Sequence, residues 1–75
     1  MRRWTEPEYE LLFDSHPPTQ PSAPTVDEAA ELGRELERSP GAVVAQWNDG
    51  RSLVLGHVND AARGLRDYLT RRGWL

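Results

Sequence analysis

The chain has 75 residues, with twelve acidic and nine basic side chains, a net charge of −3 and no cysteine. That is one domain with a thin core closed by packing alone. Disulfides and thiolate metal sites are excluded, and there is little room for a deep small-molecule pocket. No apolar run approaches the ~20 residues that span a bilayer, and the basic start Met1-Arg2-Arg3 lacks the apolar stretch of a signal peptide. The expectation is a cytoplasmic protein with no membrane association.

Every basic residue is Arg, a bias that points to a GC-rich genome, bacterial or phage. The charge is split along the chain. Residues 1–37 carry three Arg against nine acids, a balance of −6, and residues 38–75 carry six Arg against three Asp, a balance of +3. The second half is the one suited to an anionic partner.

The first predicted element is a helix over 5–14. Thr5-Glu6-Pro7-Glu8 reads as a capping box with Pro in the first turn, where its missing N–H costs nothing. Tyr9, Leu12 and Phe13 then share a face, with Leu11 beside them, and Trp4 precedes the cap where it can staple against Tyr9. Residues 15–24 hold four of the six prolines and read as an extended connector.

A second capping box, Thr25-Val26-Asp27-Glu28, opens a helix over 25–37, with Val26, Ala29, Gly33 and Leu36 on one face. The last predicted helix spans 59–72. Asn59 is its expected N-cap, followed by Asp60, and Ala62, Leu65 and Leu69 form its stripe with Ala61 and Tyr68. Gly73 at the C′ position and Trp74 after it suit a Schellman motif, which makes Trp74 a clasp.

The centre reads two ways. In one, Ser39 caps a helix that starts at Pro40 and runs to residue 48, with Val43, Val44 and Trp47 inward and a turn over 49–58. In the other, the fold is α+β, with a β-hairpin at 42–57. Its strands 42–47 and 52–57 would be joined by Asn48-Asp49-Gly50-Arg51, because Asp-Gly is the favoured type I′ pair.

Catalytic chemistry finds no foothold. The histidines are His16 and His57 alone, no nucleophile elbow or glycine-rich phosphate loop is present, and the acids sit where caps and solubility explain them. The chain is therefore expected to be a non-enzymatic binding protein without a metal or cofactor.

One resemblance bears on the ambiguous centre. Arg2-Arg3-Trp4-Thr5-Glu6-Pro7-Glu8-Tyr9-Glu10-Leu11-Leu12 resembles the opening of a Myb/SANT-like domain, with its Trp-Thr pair, acidic residue and paired leucines. Glu28-Ala29-Ala30-Glu31-Leu32-Gly33-Arg34 is similar to the second helix and turn of such domains, and Ser39–Trp47 to the start of the recognition helix. The likeness covers residues 2–48. Three features depart from it: Glu35-Leu36-Glu37-Arg38 lengthens the turn, the central Trp of the family's repeat has no match, and the recognition segment is poor in basic residues.

The resemblance implies an all-α fold, a three-helix homeodomain-like helix-turn-helix plus a C-terminal helix. It also implies a small regulator that reads double-stranded DNA. The helix starting at Ser39 would enter the major groove. Gln46, Asn48 and Arg51 would meet bases, with Ala45 on the same outward face. Arg2, Arg3, Arg34 and Arg38 would hold phosphates, with Arg63 and Arg66 as further candidates. So few contacts imply weak binding, and hence a partner protein or a homodimer through the C-terminal helix. The alternative is a protein-interaction module that uses the hairpin and Trp47 as adaptor or inhibitor.

Overall fold

The structure is a computed structural model that describes residues 3–57, 59 and 61–75. It is all-α: α1 is Glu6–Ser15, α2 Val26–Leu36, α3 Pro40–Val54 and α4 Arg63–Arg71, with no strand among the described residues. The hairpin is thus overturned in favour of helix.

The starts of α1 to α3 follow the capping chemistry. At α1, the Glu8 carboxylate accepts the Thr5 N–H at 2.8 Å and the Thr5 hydroxyl at 3.1 Å. At α2, Thr25 Oγ1 accepts from the Glu28 N–H at 3.2 Å while Glu28 accepts the Thr25 N–H at 2.9 Å. At α3, Ser39 Oγ accepts from the Ala42 N–H at 3.2 Å and Pro40 fills the first turn.

The helix ends are more uniform than the sequence suggests. After α3, the N–H of His57 reaches the Ser52 carbonyl and that of Gly56 reaches Leu53, with Gly56 at φ 87°. After α4, Trp74 bonds back to Leu69 and Gly73 to Thr70, with Gly73 at φ 76°. Both are Schellman closures. The same pattern closes α2, where Arg38 bonds to Gly33 and Glu37 to Arg34, but the left-handed residue is Glu37 at φ 56°.

Two boundaries and one burial differ from expectation. The helix expected to end at residue 48 continues to Val54, because Asp49-Gly50 stays helical, and the turn falls at Leu55-Gly56 instead. Gly50 is buried and gives room to the Phe13 ring. Helix α4 starts at Arg63, with Ala62 exposed at its N-cap position. Asn59 does not cap it. The Asn59 amide donates to the Asp49 carbonyl at 3.2 Å and its Oδ1 accepts the Ala61 N–H at 2.8 Å, which ties the α3–α4 link to α3. Asp60 lies outside the described residues. Finally, Val26 is 84% exposed, because the first turn of α2 projects beyond the core.

The core gathers Tyr9, Leu12 and Phe13 of α1, Ala29, Leu32 and Leu36 of α2, Val43, Trp47 and Leu53 of α3, and Leu65, Tyr68 and Leu69 of α4. Its aromatic side is continuous. Trp4 stacks on Tyr9 at 5.7 Å, Tyr68 meets both Tyr9 and Phe13, and Trp74 closes edge-on against Tyr68. Such pairs add about 0.5–1.5 kcal/mol each beyond burial. The apolar face of α4 is spent on this core.

The Pro-rich segment is fastened, not a free connector. Pro18 is fully buried. The Trp47 indole donates to the His16 carbonyl at 2.8 Å, Arg51 donates to the Pro18 carbonyl at 3.0 Å, and Ser22 donates to Pro17 at 2.8 Å. His16 is itself buried, with Nδ1 bonded to the Ser22 carbonyl at 3.0 Å.

Candidate functional site

Helices α2 and α3 pack on one another more extensively than any other pair, and only Glu37, Arg38 and Ser39 separate them. Val43, Trp47, Gly50 and Leu53 turn α3 inward. At about 100° per residue, positions 41, 45, 48 and 52 fall on the opposite face. Gly41, Ala45 and Asn48 are exposed there and Ser52 is half-buried. This face is small, neutral and open to solvent.

The three residues expected to meet bases do not share it. Asn48 lies at its centre. Gln46 and Arg51 lie on the flanks, about 140° apart around the helix. Gln46 is half-buried, and its Oε1 is buried without a hydrogen-bond partner. Arg51 is half-buried and bonded to Pro18.

The residues expected at phosphates are also dispersed. Arg2 lies outside the described residues. Arg34 is exposed on α2, in an open groove of about 580 Å³ that also carries Glu28, Glu31 and Glu35. Arg38 is committed to the fold. Its Nε meets Glu8 Oε2 at 3.1 Å, its Nη2 meets Glu8 Oε1 at 3.1 Å and the Arg3 carbonyl at 2.9 Å, and its guanidinium lies 4.9 Å over the Trp4 ring. Burial works against an ionised Glu8, but the bonds from Arg38 and Thr5 outweigh it and hold this carboxyl below its ordinary value.

Of the further candidates, Arg66 is exposed and donates to the Asn59 carbonyl at 3.0 Å, while Arg63 lines a second cleft. That cleft holds about 510 Å³, and Arg3, Trp4, Tyr9, Gln46 and the first turn of α4 wall it. Sequence reasoning did not find it. Its lining comes from three distant stretches of chain, and only Gln46 carries a mark, the unpartnered amide oxygen, which no sequence pattern reveals.

The C-terminal arginines also serve the fold. Arg71 meets Glu6 at 2.9 Å and Arg72 meets Asp14 at 2.9 Å and the Tyr68 hydroxyl at 2.6 Å. No group of three or more His, Asp or Glu side chains among the described residues is placed to hold a metal ion, and no helix is long and apolar enough to cross a membrane. Comparison with protein-family models, curated proteins and solved structures returns no match for this chain.

Proposed function

We propose that this chain is a small, non-catalytic DNA-binding protein of helix-turn-helix type that lays α3 in the major groove of a duplex. The observation that carries this reading is the α2–turn–α3 pair. Its three-residue link braces α3 from behind and leaves Gly41, Ala45 and Asn48 facing solvent. Gly41 and Ala45 are small enough for the helix to approach base edges closely, and Asn48 carries the amide that pairs with adenine. The resemblance of residues 2–48 to Myb/SANT-like domains supports the same reading. Base contact is assigned first to Asn48, and phosphate contact to Arg3, Arg34 and Arg63, whose side chains have no partner within the described chain. Gln46 and Arg51 act behind them, one on each flank.

Three phosphate contacts give a log–log salt slope of about −3 and weak binding. The test is fluorescence anisotropy of the full chain with random-sequence duplexes at low and moderate salt. Binding with that slope, reduced by roughly one in Arg34→Ala, supports the reading. Failure to bind at low salt removes it.

A second reading is favoured by one observation: the exposed centre of α3 carries no charged side chain. A neutral face of small residues suits the helix of a protein partner. A chain that ignores DNA but loses a protein partner on Ala45→Arg would be an interaction module of this kind.

A further inference from the structure

The DNA-binding reading uses the groove between α1 and α2 only at its rim. Leu11 of α1 and Leu32 of α2 give this groove its apolar part, and α2 gives it a charged wall. Glu28 and Glu35 lie within about 20° of one another around α2, and Glu31 about 60° from Glu28. Arg34 lies about 120° from Glu28, on the outer rim, where phosphate contact is assigned to it. Glu31 and Glu35 have no ion pair within the described chain.

A row of carboxylates is ordinary on a helix surface. His16, at the C-cap of α1, sets this one apart. Its side chain is only 10% exposed. Nδ1 lies 3.0 Å from the Ser22 carbonyl, and because a carbonyl only accepts, Nδ1 carries the hydrogen. In the neutral ring Nε2 is then an acceptor. It takes no hydrogen bond from the described chain, and Glu28 Oε2 stands 4.0 Å away. Nε2 is not sealed off. Gln46 Oε1 is the one fully buried side-chain atom without a partner among the described residues, so the Nε2 edge of His16 reaches the groove.

Glu28 Oε1 already accepts the Thr25 N–H, which leaves Oε2. Two acceptors, Glu28 Oε2 and His16 Nε2, thus stand 4.0 Å apart and neither takes a donor from the described residues. One group with two N–H bonds can serve both. It must also be positive, to suit the carboxylates, and carry an aliphatic stem to cover Leu11, which is 39% exposed. An arginine side chain meets all three demands, with diverging N–H bonds on a planar fork. A hydrated metal ion lacks the stem, and a nucleic-acid backbone has the wrong charge.

We infer that this groove docks an arginine-bearing segment of a protein partner, with the guanidinium bridging His16 Nε2 and Glu28 Oε2 and its stem on Leu11. Further basic residues of the same segment meet Glu31 and Glu35. Charge complementarity makes the partner basic, because residues 1–37, which form the groove, carry a balance of −6. The site stands independently of DNA binding, since no residue of α3 lines it.

The test uses the isotope-labelled full chain at low salt and three probes: acetyl-Leu-Arg-Ala-Ala-Arg-amide, the same peptide with citrulline at both arginines, and spermidine. The expected result is saturable NMR shifts of the His16 ring, the Leu11 methyls and the Glu28 and Glu31 amides with the arginine peptide, with Kd on the order of 1 mM. Citrulline keeps the shape but not the charge, and its peptide binds at least about tenfold more weakly. Glu28→Gln, which keeps an oxygen for the Thr25 cap, gives a loss of similar size. Arg34→Ala removes a cation from the rim and tightens the arginine peptide by about twofold. The same variant weakens DNA binding under the proposed function, so the two readings fail separately. The inference is overturned by an absence of shifts at about 10 mM peptide, by equal binding of the citrulline peptide, by spermidine matching the arginine peptide, or by undiminished binding to Glu28→Gln. It is also overturned if dilution of the chain alone moves the same resonances, which would make a second copy the occupant.

Discussion

The Phe13 ring lies on Gly50. A Cβ added at Gly50 would fall 2.7 Å from Cζ and 2.8 Å from Cε1 of that ring, which is itself fully buried. The glycine therefore serves helix packing, although it sits in an Asp-Gly pair that reads as a turn. Gly50→Ala gains about 1 kcal/mol of helix propensity and loses more to overpacking, about 1–3 kcal/mol for a displaced core side chain. The expected net effect is destabilisation. Gly41→Ala is the control, because nothing lies within 4 Å of its Cβ; it should stabilise by about 0.5 kcal/mol. Urea midpoints of the two variants should move in opposite directions.

Glu37 holds the left-handed position that closes α2, at φ 56° and ψ 44°. An L-residue pays about 1–2 kcal/mol there, and glycine does not. Glu37→Gly is expected to raise stability by about 1 kcal/mol, read as a higher thermal midpoint with unchanged helicity. Gly33, four residues earlier, behaves oppositely. A Cβ there would lie 2.5 Å from the Arg38 carbonyl, which is backbone and cannot step aside. Gly33→Ala should destabilise, despite the better helix former.

Local chemistry was readable in the sequence, and long-range chemistry was not. The Thr5–Glu8 and Thr25–Glu28 capping pairs, the Ser39-Pro40 start and the Gly73–Trp74 closure each lie within six residues, so spacing alone announces them. The fate of Asp49-Gly50 depended on Phe13, whose ring covers Gly50 from 37 residues away. The commitment of Arg38 depended on Glu8, 30 residues away. A guanidinium free for phosphate and one locked in the fold look identical in sequence, and so the expected phosphate contacts mixed Arg38 with Arg34. The cleft at Gln46 was hidden for the same reason.

The indole of Trp47 holds the Pro-rich segment through the His16 carbonyl at 2.8 Å. Trp47→Phe keeps an aromatic ring in the core but leaves that carbonyl without its buried donor, at a cost of about 1–3 kcal/mol. Residues 17–24 should then be cleaved faster by protease under native conditions, while the amides of α4 keep their exchange protection. Equal loss of protection in α4 would show that the bond supports the whole core and not the segment.

Glu8 joins the α1 cap to Arg38, with the two side chains only 12% and 9% exposed. Its folded carboxyl titrates below the ordinary value of 4.5, because the Arg38 and Thr5 bonds outweigh burial. Glu28 is shifted the same way, chiefly by the Thr25 backbone N–H. In both cases the unfolded chain takes up the proton at higher pH than the folded one. Their contribution is therefore complete above about pH 4.5 and drains away as pH falls through the lower folded values. Urea midpoints should stay level from neutral pH down to that point and fall below it. Glu8→Gln retains a group able to cap Thr5 but loses the charge. It should cost about 1 kcal/mol at neutral pH and flatten the acid limb of the profile, while Glu10→Gln, an exposed change on the same helix, leaves both unchanged. An acid limb of wild-type steepness in Glu8→Gln would mean that the Arg38 pair is not what acid removes.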